Sequence, residues 1–298
     1  HAPALVSFSI ARQLPDTNVI PQARNVCGRV GYAPYALPGS DALGTSIAEA
    51  FAQGYDAVLL ENHGVATAGR TLLDAFQRLE TLDFCARTQM YAQGLGQFTS
   101  LTDQQIDVVG NRGVMLPEIE VGQHSSLERE LRGQIVDIVQ RAYARQLMIS
   151  TEGVVSARVE GHTFIITPTG YDRLSVSHDD LVLVQDSQRE KGKLPSRAVL
   201  LHDAIYRTHP EIGCIITAQS PYATAYAISG QPFRTRTIPE SYIMLLDVPK
   251  LPFGAQYSDP DTVAKMLSPQ CPVILLQNDG VLTTGGSVLQ AFDRLEFV

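Results

Sequence analysis

The sequence predicts an α/β protein that carries one structural unit twice. Two observations lead there. Leu59 to Glu80 reads LLENHGVATAGRTLLDAFQRLE and Leu275 to Glu296 reads LLQNDGVLTTGGSVLQAFDRLE, identical at 13 of 22 positions without a gap. Upstream, APYALPGSD at 33–41 echoes LPFGAQYSD at 251–259. HAPAL at 1–5 lies near the register of QSPYA at 219–223, so the copies are offset by about 216 to 218 residues. Self-similarity at a fixed offset is the signature of a repeated fold. The second observation is that each copy alternates strand-like and helix-like runs.

In chain order, Val58 to Leu60 and Val273 to Leu276 are short apolar runs closed by Asn-x-Gly, the pattern of a buried strand and a tight turn. Leu72, Leu73, Phe76, Leu79 and Leu82 recur at helical spacing and predict a helix whose stripe is core. Asp74 suits the dipole of its first turn. Residues 100–125 are polar, with Gly110, Gly113, Pro117 and Gly122, and read as a linker. Ser126 is the expected N-cap of the next helix, with Leu127, Leu131, Ile135, Ile138, Val139 and Tyr143 as its apolar stripe. Strands are expected over Val154–Val159, Thr163–Thr167 and Leu181–Gln185. A helix is expected over Ala198–Arg207 and a buried strand over Cys214–Thr217. The expected division is 1–99, the C-terminal part of a first copy, 100–125, a linker, and 126–298, a second copy whose last helix stops at Val298.

Composition narrows the function. Charged residues are 18% of the 298, below the roughly 25% usual for soluble domains, which points to surface buried in a homo-oligomer. Net charge is -8 with no basic cluster, so nucleic acid is not an expected partner. Cys27, Cys85, Cys214 and Cys271 form no CxxC pair, which excludes a zinc knuckle and a redox motif and fits reduced thiols in the cytoplasm. No apolar run reaches membrane-spanning length, and the sequence shows no basic-then-apolar leader.

The motifs, in order, resemble the class II aldolase/adducin family. The resemblance rests on HAPA, YAPY and LLENHGV in the first copy. In the second it rests on STEGVVSARVEG, FIITPTGYDR, LPSRAVLLHDAIYRTHPEIG, SPYATAYAISG and LLQNDGV. It implies a class II aldolase-like fold in each copy, a mixed, mostly antiparallel central sheet flanked by helices. It also implies one divalent metal, usually zinc, held by a His-x-His at a strand end and by the histidine of Asn-His-Gly. That metal stabilises an enediolate during C–C cleavage. A glutamate moves protons, and a Thr-Pro-Ser/Thr-Gly turn binds substrate phosphate through backbone N–H groups.

Carried onto this chain, the resemblance makes the copies unequal. In the second, Thr217-Ala218-Gln219 stands at His-x-His, Asn278-Asp279-Gly280 at Asn-His-Gly and Ala198 at the glutamate. No metal is expected there, since one carboxylate does not replace three imidazoles. Thr169 and Gly170 of the phosphate turn remain as vestigial substrate-binding residues, while Gly153-Val154 lacks the Asn of the family's Gly-Asn. In the first copy His63 holds the place of the third ligand and His1 that of the second histidine of His-x-His, so zinc or another divalent metal is expected there alone. The other ligand, the glutamate and the phosphate turn would lie before residue 1.

More ordinary roles stand beside these. A single histidine after a strand commonly hydrogen-bonds a carbonyl, and His1 is also readable as a tag remnant or a frayed terminus. Glu61 reads either as a partner behind His63 or as a surface charge. His202 reads as structural, and His124, His162, His178 and His209 as solvated. Where many family enzymes place an acidic tyrosine from a neighbouring subunit, this chain has Ile20 and Ile238, with Tyr242 near the second. The expected function is a metal-dependent lyase for a small sugar phosphate or hydroxy-carbonyl compound, with chemistry in the first copy. The alternatives are a non-catalytic, adducin-like assembly protein and a decarboxylase on the same fold. Two fused copies could also close the family's four-fold ring as a dimer.

Overall fold

A computed structural model describes residues 1–110 and 114–298. The described residues form two compact units, one of 1–110 with 228–231 and the other of 114–227 with 232–298.

The first unit contains, in order, α1 (Pro3–Ala11), α2 (Pro21–Cys27), β1 (Val30–Ala33), α3 (Asp41–Ala52), β2 (Ala57–Leu60), β3 (Gly64–Thr67), α4 (Leu72–Leu95) and α5 (Asp103–Gly110). Its sheet runs β1-β2-β3, with β1 parallel to β2 across the α3 crossover and β2 antiparallel to β3. The unbroken apolar run of β2 follows from burial on both faces. Ala57 and Leu59 pack with Leu5 and Phe8 of α1 and Leu82 of α4, while Val58 and Leu60 pack with Ala33 and Ala50. Thr71 caps α4, its Oγ1 accepting the Asp74 N–H at 3.1 Å.

The second unit is built on nine strands: β4 (Glu118–Ile119), β5 (Val154–Glu160), β6 (Thr163–Ile166), β7 (Val182–Gln185), β8 (Gln188–Glu190), β9 (Cys214–Ala218), β10 (Lys250–Leu251), β11 (Val273–Leu276) and β12 (Gly280–Gly285). They lie in the order β10-β11-β12-β9-β5-β6-β7-β8-β4. Around them are α6 (Ser126–Ala144), α7 (Val199–Thr208), α8 (Pro221–Ile228), α9 (Pro239–Leu245), α10 (Ala255–Ser258), α11 (Pro260–Met266) and α12 (Val288–Phe297). Ile135 and Val139 of α6 and Phe292 of α12 pack with Val155, Ile216 and Val281 in one core. Ile205 of α7 and Val263 of α11 pack with Phe164, Ile215 and Leu282 in another.

Several expectations change. The sheet is mixed: the pairs β10/β11 and β4/β8 at its two ends are parallel, and the pairs between them are antiparallel. The helical crossover through α10 and α11 imposes the parallel pairing on β10 and β11. Residues 100–125 are not a bare linker. They carry α5 and β4, and Arg189 binds the Leu116 carbonyl and Glu118. Gly113 lies outside the described residues. Ser125, not Ser126, caps α6, accepting the Glu128 N–H at 3.0 Å, and Leu127 stands in solvent. The α4 stripe is not core at its start. Leu72 is 89% and Phe76 49% exposed, and full burial begins at Thr81. His209 is packed rather than solvated, its Nε2 within 2.8 Å of the Ala264 carbonyl.

The strand–turn–strand–helix segments β2–β3–α4 and β11–β12–α12 share their hydrogen bonds. Thr67 Oγ1 donates to Ala75 O at 2.9 Å, and Thr283 Oγ1 to Ala291 O at 2.9 Å. Arg78 reaches Ala68 O at 2.6 Å, and Arg294 reaches Thr284 O at 2.5 Å. Gly69 and Gly285 bring the helix start close. A Cβ there would lie 2.6 Å from Ala75 N in one and 2.5 Å from Ala291 N in the other. Gly69→Ala and Gly285→Ala are each expected to cost about 1–3 kcal/mol by forcing helix and strand apart. Unchanged unfolding midpoints in urea would refute the close approach.

Candidate functional site

In the first unit the turn Asn62-His63-Gly64 joins β2 to β3. Asn62 takes φ of 54°, a left-handed conformation that asparagine tolerates, and His63 N donates to Leu60 O at 3.0 Å. The turn is fixed from two sides: Glu61 N donates to Ala33 O at 3.0 Å and Asn62 N to Ser9 O at 3.4 Å. His63 is thereby set beside His1, with ring centroids 5.1 Å apart and planes at 40°. His63 Nδ1 is shielded from solvent and has no hydrogen-bond partner among the described residues. No group of three or more His, Cys, Asp or Glu able to hold a metal occurs among the described residues. Two imidazoles alone fall short of the three protein ligands usual for catalytic zinc. Glu61 does not stand behind His63. It accepts the Tyr35 N–H at 3.1 Å and pairs with Arg12 at 2.7 Å, and bonds to Tyr35 and Tyr32 hold its carboxyl below the usual range.

The second unit repeats the turn with other chemistry. Asn278 has φ of 53°, Asp279 N donates to Leu276 O at 3.1 Å, Gln277 N to Leu251 O at 3.0 Å and Asn278 N to Ala227 O at 3.4 Å. Asp279 thus stands where His63 stands, and it is buried. Its carboxylate accepts from Gln219 Nε2 at 3.3 Å, Gln256 Nε2 at 2.7 Å and Tyr257 OH at 3.0 Å. Both amide oxygens, Gln219 Oε1 and Gln256 Oε1, are buried without a hydrogen-bond partner among the described residues. The amides are thus turned to give their N–H groups to the carboxylate. Burial first, then Asp279, pushes the Tyr257 hydroxyl well above its ordinary pKa and keeps it a donor. Glu152 is also raised, by burial, with Arg197 and Arg173 opposing.

Thr217 belongs to a different network. Its Oγ1 lies 3.3 Å from His202 Nε2, and His202 Nδ1 lies 2.7 Å from Ser156 Oγ, which is 2.8 Å from Tyr206 OH. Burial depresses the His202 pKa from 6.5 to about 3, so the ring is a neutral tie between β5, β9 and α7. Ala198 sits at the start of α7 without a side chain that could move a proton.

Thr169 and Gly170 lie together on one exposed turn. Thr169 N donates to Leu194 O at 3.1 Å, so that N–H is already used, and Gly170 takes a φ of 75°. The turn is locked from within by buried Arg173, which donates to Gly153 O at 2.8 Å, Tyr171 O at 2.9 Å and Pro168 O at 3.3 Å. Burial lowers the Arg173 pKa to about 10, so it stays charged at neutral pH. Ile20 is buried at the start of α2 and Ile238 is exposed. Tyr242 is engaged by Arg236, whose guanidinium lies 3.0 Å from its hydroxyl and 4.4 Å from its ring centre.

The family model for the Class II Aldolase and Adducin N-terminal domain matches residues 1–90 and 133–298. The chain belongs to this family. It is 30% identical over 162 residues, 51% of this chain and 72% of the relative, to the 5-methylthioribulose-1-phosphate/5-deoxyribulose-1-phosphate aldolase of Escherichia coli. It is 28% identical over 178 residues, 57% of this chain and 81% of the relative, to the 3-oxo-tetronate 4-phosphate decarboxylase of Pectobacterium atrosepticum. Human beta-adducin is 29% identical over 141 residues, 44% of this chain, and the match spans only 19% of its length. Among solved structures, YgbL of Klebsiella pneumoniae, described as a candidate aldolase/epimerase/decarboxylase, has a TM-score of 0.50 and 26% identity. The match covers 57% of this chain and 84% of that one.

Within this class II aldolase and adducin chain, sequence reasoning missed Gln256 and Tyr257. They lie in LPFGAQYSD, read only as an echo of the first copy, and α10 brings them onto Asp279 through packing that no linear pattern encodes. Among the described residues no helix is long and apolar enough to cross a membrane.

Proposed function

We propose that the chain is two tandem class II aldolase-type domains in which any metal chemistry belongs to the first and the second is a pseudo-enzyme domain. The observation that carries this reading is the contrast at one turn: His63 with an unpartnered buried nitrogen beside His1 in the first unit, Asp279 held by amide and phenol donors in the second. His1 and His63 would hold a divalent metal, zinc in most of the family, together with a further ligand. The metal would polarise the carbonyl and hydroxyl oxygens of a bound substrate. The turn's three backbone bonds fix where the His63 ring sits. The substrate class is a small sugar phosphate or hydroxy-carbonyl compound, in keeping with relatives whose names specify phosphorylated substrates. A homo-oligomer in the cytoplasm completes the proposal, and a monomer by light scattering at micromolar concentration would count against the oligomer.

Aldol cleavage of a panel of ketose 1-phosphates by the full-length protein tests the reading. His63→Ala is expected to lower turnover more than about 100-fold, since even partners behind a metal ligand cost 10–100-fold, whereas Asp279→Asn leaves it near wild type. Cleavage that survives His63→Ala removes the first unit from the chemistry. The likeness to beta-adducin supports a second reading, a non-catalytic assembly domain. Absence of turnover together with absence of bound metal would favour it.

A further inference from the structure

The cluster on Asp279 satisfies its carboxylate and leaves its amides half-used. Gln219 follows directly on β9 and Gln256 lies in α10, and they are 5% and 4% exposed. Each turns its Nε2 to the Asp279 carboxylate, at 3.3 Å and 2.7 Å. An amide held at its nitrogen has its oxygen held too. Gln219 Oε1 and Gln256 Oε1 are closed to solvent and have no hydrogen-bond partner among the described residues. Folded interiors leave few acceptors in that state, and an unmodelled water or ion is a standard reason for one. Two of them, on amides that share one carboxylate, point to a common occupant.

The chemistry of the cluster selects that occupant. Both orphaned atoms are oxygens with lone pairs, so the occupant brings positive charge or N–H or O–H donors. The carboxylate takes the N–H end of each amide dipole and polarises it, which makes the oxygens better acceptors. Its own negative charge nearby favours a cation over a neutral donor. Solvent reaches neither oxygen, so a single ion suits the place better than an organic molecule. Zinc is poorly matched, because it prefers imidazole and thiolate, and the groups gathered here are a carboxylate, two amides and the Tyr257 hydroxyl. Calcium sites gather several carboxylates, whereas Glu152 is offset by Arg197 and Arg173 and leaves the single charge of Asp279. Neutral carbonyl oxygens are the groups that replace the water shell of a potassium ion in its pores.

We propose that the second unit holds one monovalent cation, an alkali ion or ammonium, on Gln219 Oε1 and Gln256 Oε1, with the Asp279 carboxylate as its counter-charge. The same Asn-x-Gly turn then serves different ions in the two units. In the first it presents an imidazole with an unpartnered Nδ1, and in the second a carboxylate ringed by amides. The cation ties the end of β9 and α10 to the turn between β11 and β12. It acts on the stability of the second unit rather than on a reaction, and the inference holds whether or not the first unit is catalytic.

The test measures amide exchange on β11 and β12 of the whole chain in potassium, sodium, ammonium or choline chloride, each titrated to about 100 mM. A cation bound only by the closed cluster slows its opening by mass action. At least one of the first three salts is therefore expected to slow exchange at least about fivefold relative to choline, with saturation, while β2 of the first unit is unchanged. The salt that acts at the lowest concentration identifies the ion. Gln219→Met and Gln256→Met each remove an amide oxygen at nearly constant length and are expected to abolish the difference between salts. The series on the unsubstituted protein decides the matter even where a variant fails to fold. Three results would overturn the proposal. Equal exchange in all four salts would leave the oxygens to a water molecule. Slowing that does not saturate, or that reaches β2 equally, would be a general effect of salt. A cation effect that survives in both folded variants would place the ion elsewhere.

Discussion

Asp279→Ala is expected to weaken the second unit by about 3–5 kcal/mol, because it strips the shared acceptor from buried donors that cost about 1–3 kcal/mol each when left unsatisfied. Those donors are Gln219 Nε2, Gln256 Nε2 and Tyr257 OH. Asp279→Asn keeps one acceptor oxygen and is expected to cost less than half as much. Amide exchange on β11 and β12 reads the second unit separately from the first. A loss under about 1 kcal/mol for Asp279→Ala would mean that the carboxylate is not what organises this cluster. The same network explains why the position suits no three-histidine metal. Side-chain donors already occupy the carboxylate, and its neighbours at the strand end, Thr217 and Gln219, are not imidazoles.

Acidification is expected to destabilise the second unit through His202. Its pKa in the folded protein is about 3 against 6.5 in the ordinary case, and desolvation is the cause. The unfolded chain therefore takes up a proton near pH 6.5 that the folded ring refuses until about pH 3. The stability linked to this residue is complete above the upper value and declines as pH falls through the window between them. A shift of this size corresponds to at most about 5 kcal/mol across the whole window. His202→Gln removes the titration while leaving polar atoms near Ser156 and Thr217. Between pH 7 and pH 4 the wild type should lose more stability in β5 and β9 than this variant by several kcal/mol, on the order of 3. Parallel pH profiles would contradict a buried neutral imidazole.

What the sequence discloses here is local. Asn-x-Gly after an apolar run locates both turns, because only a few residue types accept the left-handed φ at Asn62 and Asn278. The strand Val273–Leu276 has the bounds the apolar run suggests. The pair His1 and His63 is legible through the register of the repeat. The α4 stripe fails for a physical reason: periodicity shows which residues share a face, not whether another element covers it, and Leu72 and Phe76 lack the cover that Val288 and Phe292 receive. Ser125 and Ser126 are chemically alike, so only cap geometry distinguishes them. The parallel pairings at the sheet's ends depend on crossovers, and Gln256 and Tyr257 reach Asp279 from a short helix whose packing is tertiary.

The division between a metal-holding first unit and a hydrogen-bonded second unit can be weighed by bound zinc. Zinc per chain would be measured in the purified full-length protein, in His63→Ala and in Asp279→Ala. The expected result is metal in the wild type, its loss in His63→Ala and wild-type content in Asp279→Ala. Zinc that is unchanged in His63→Ala, or lost in a still folded Asp279→Ala, would contradict it.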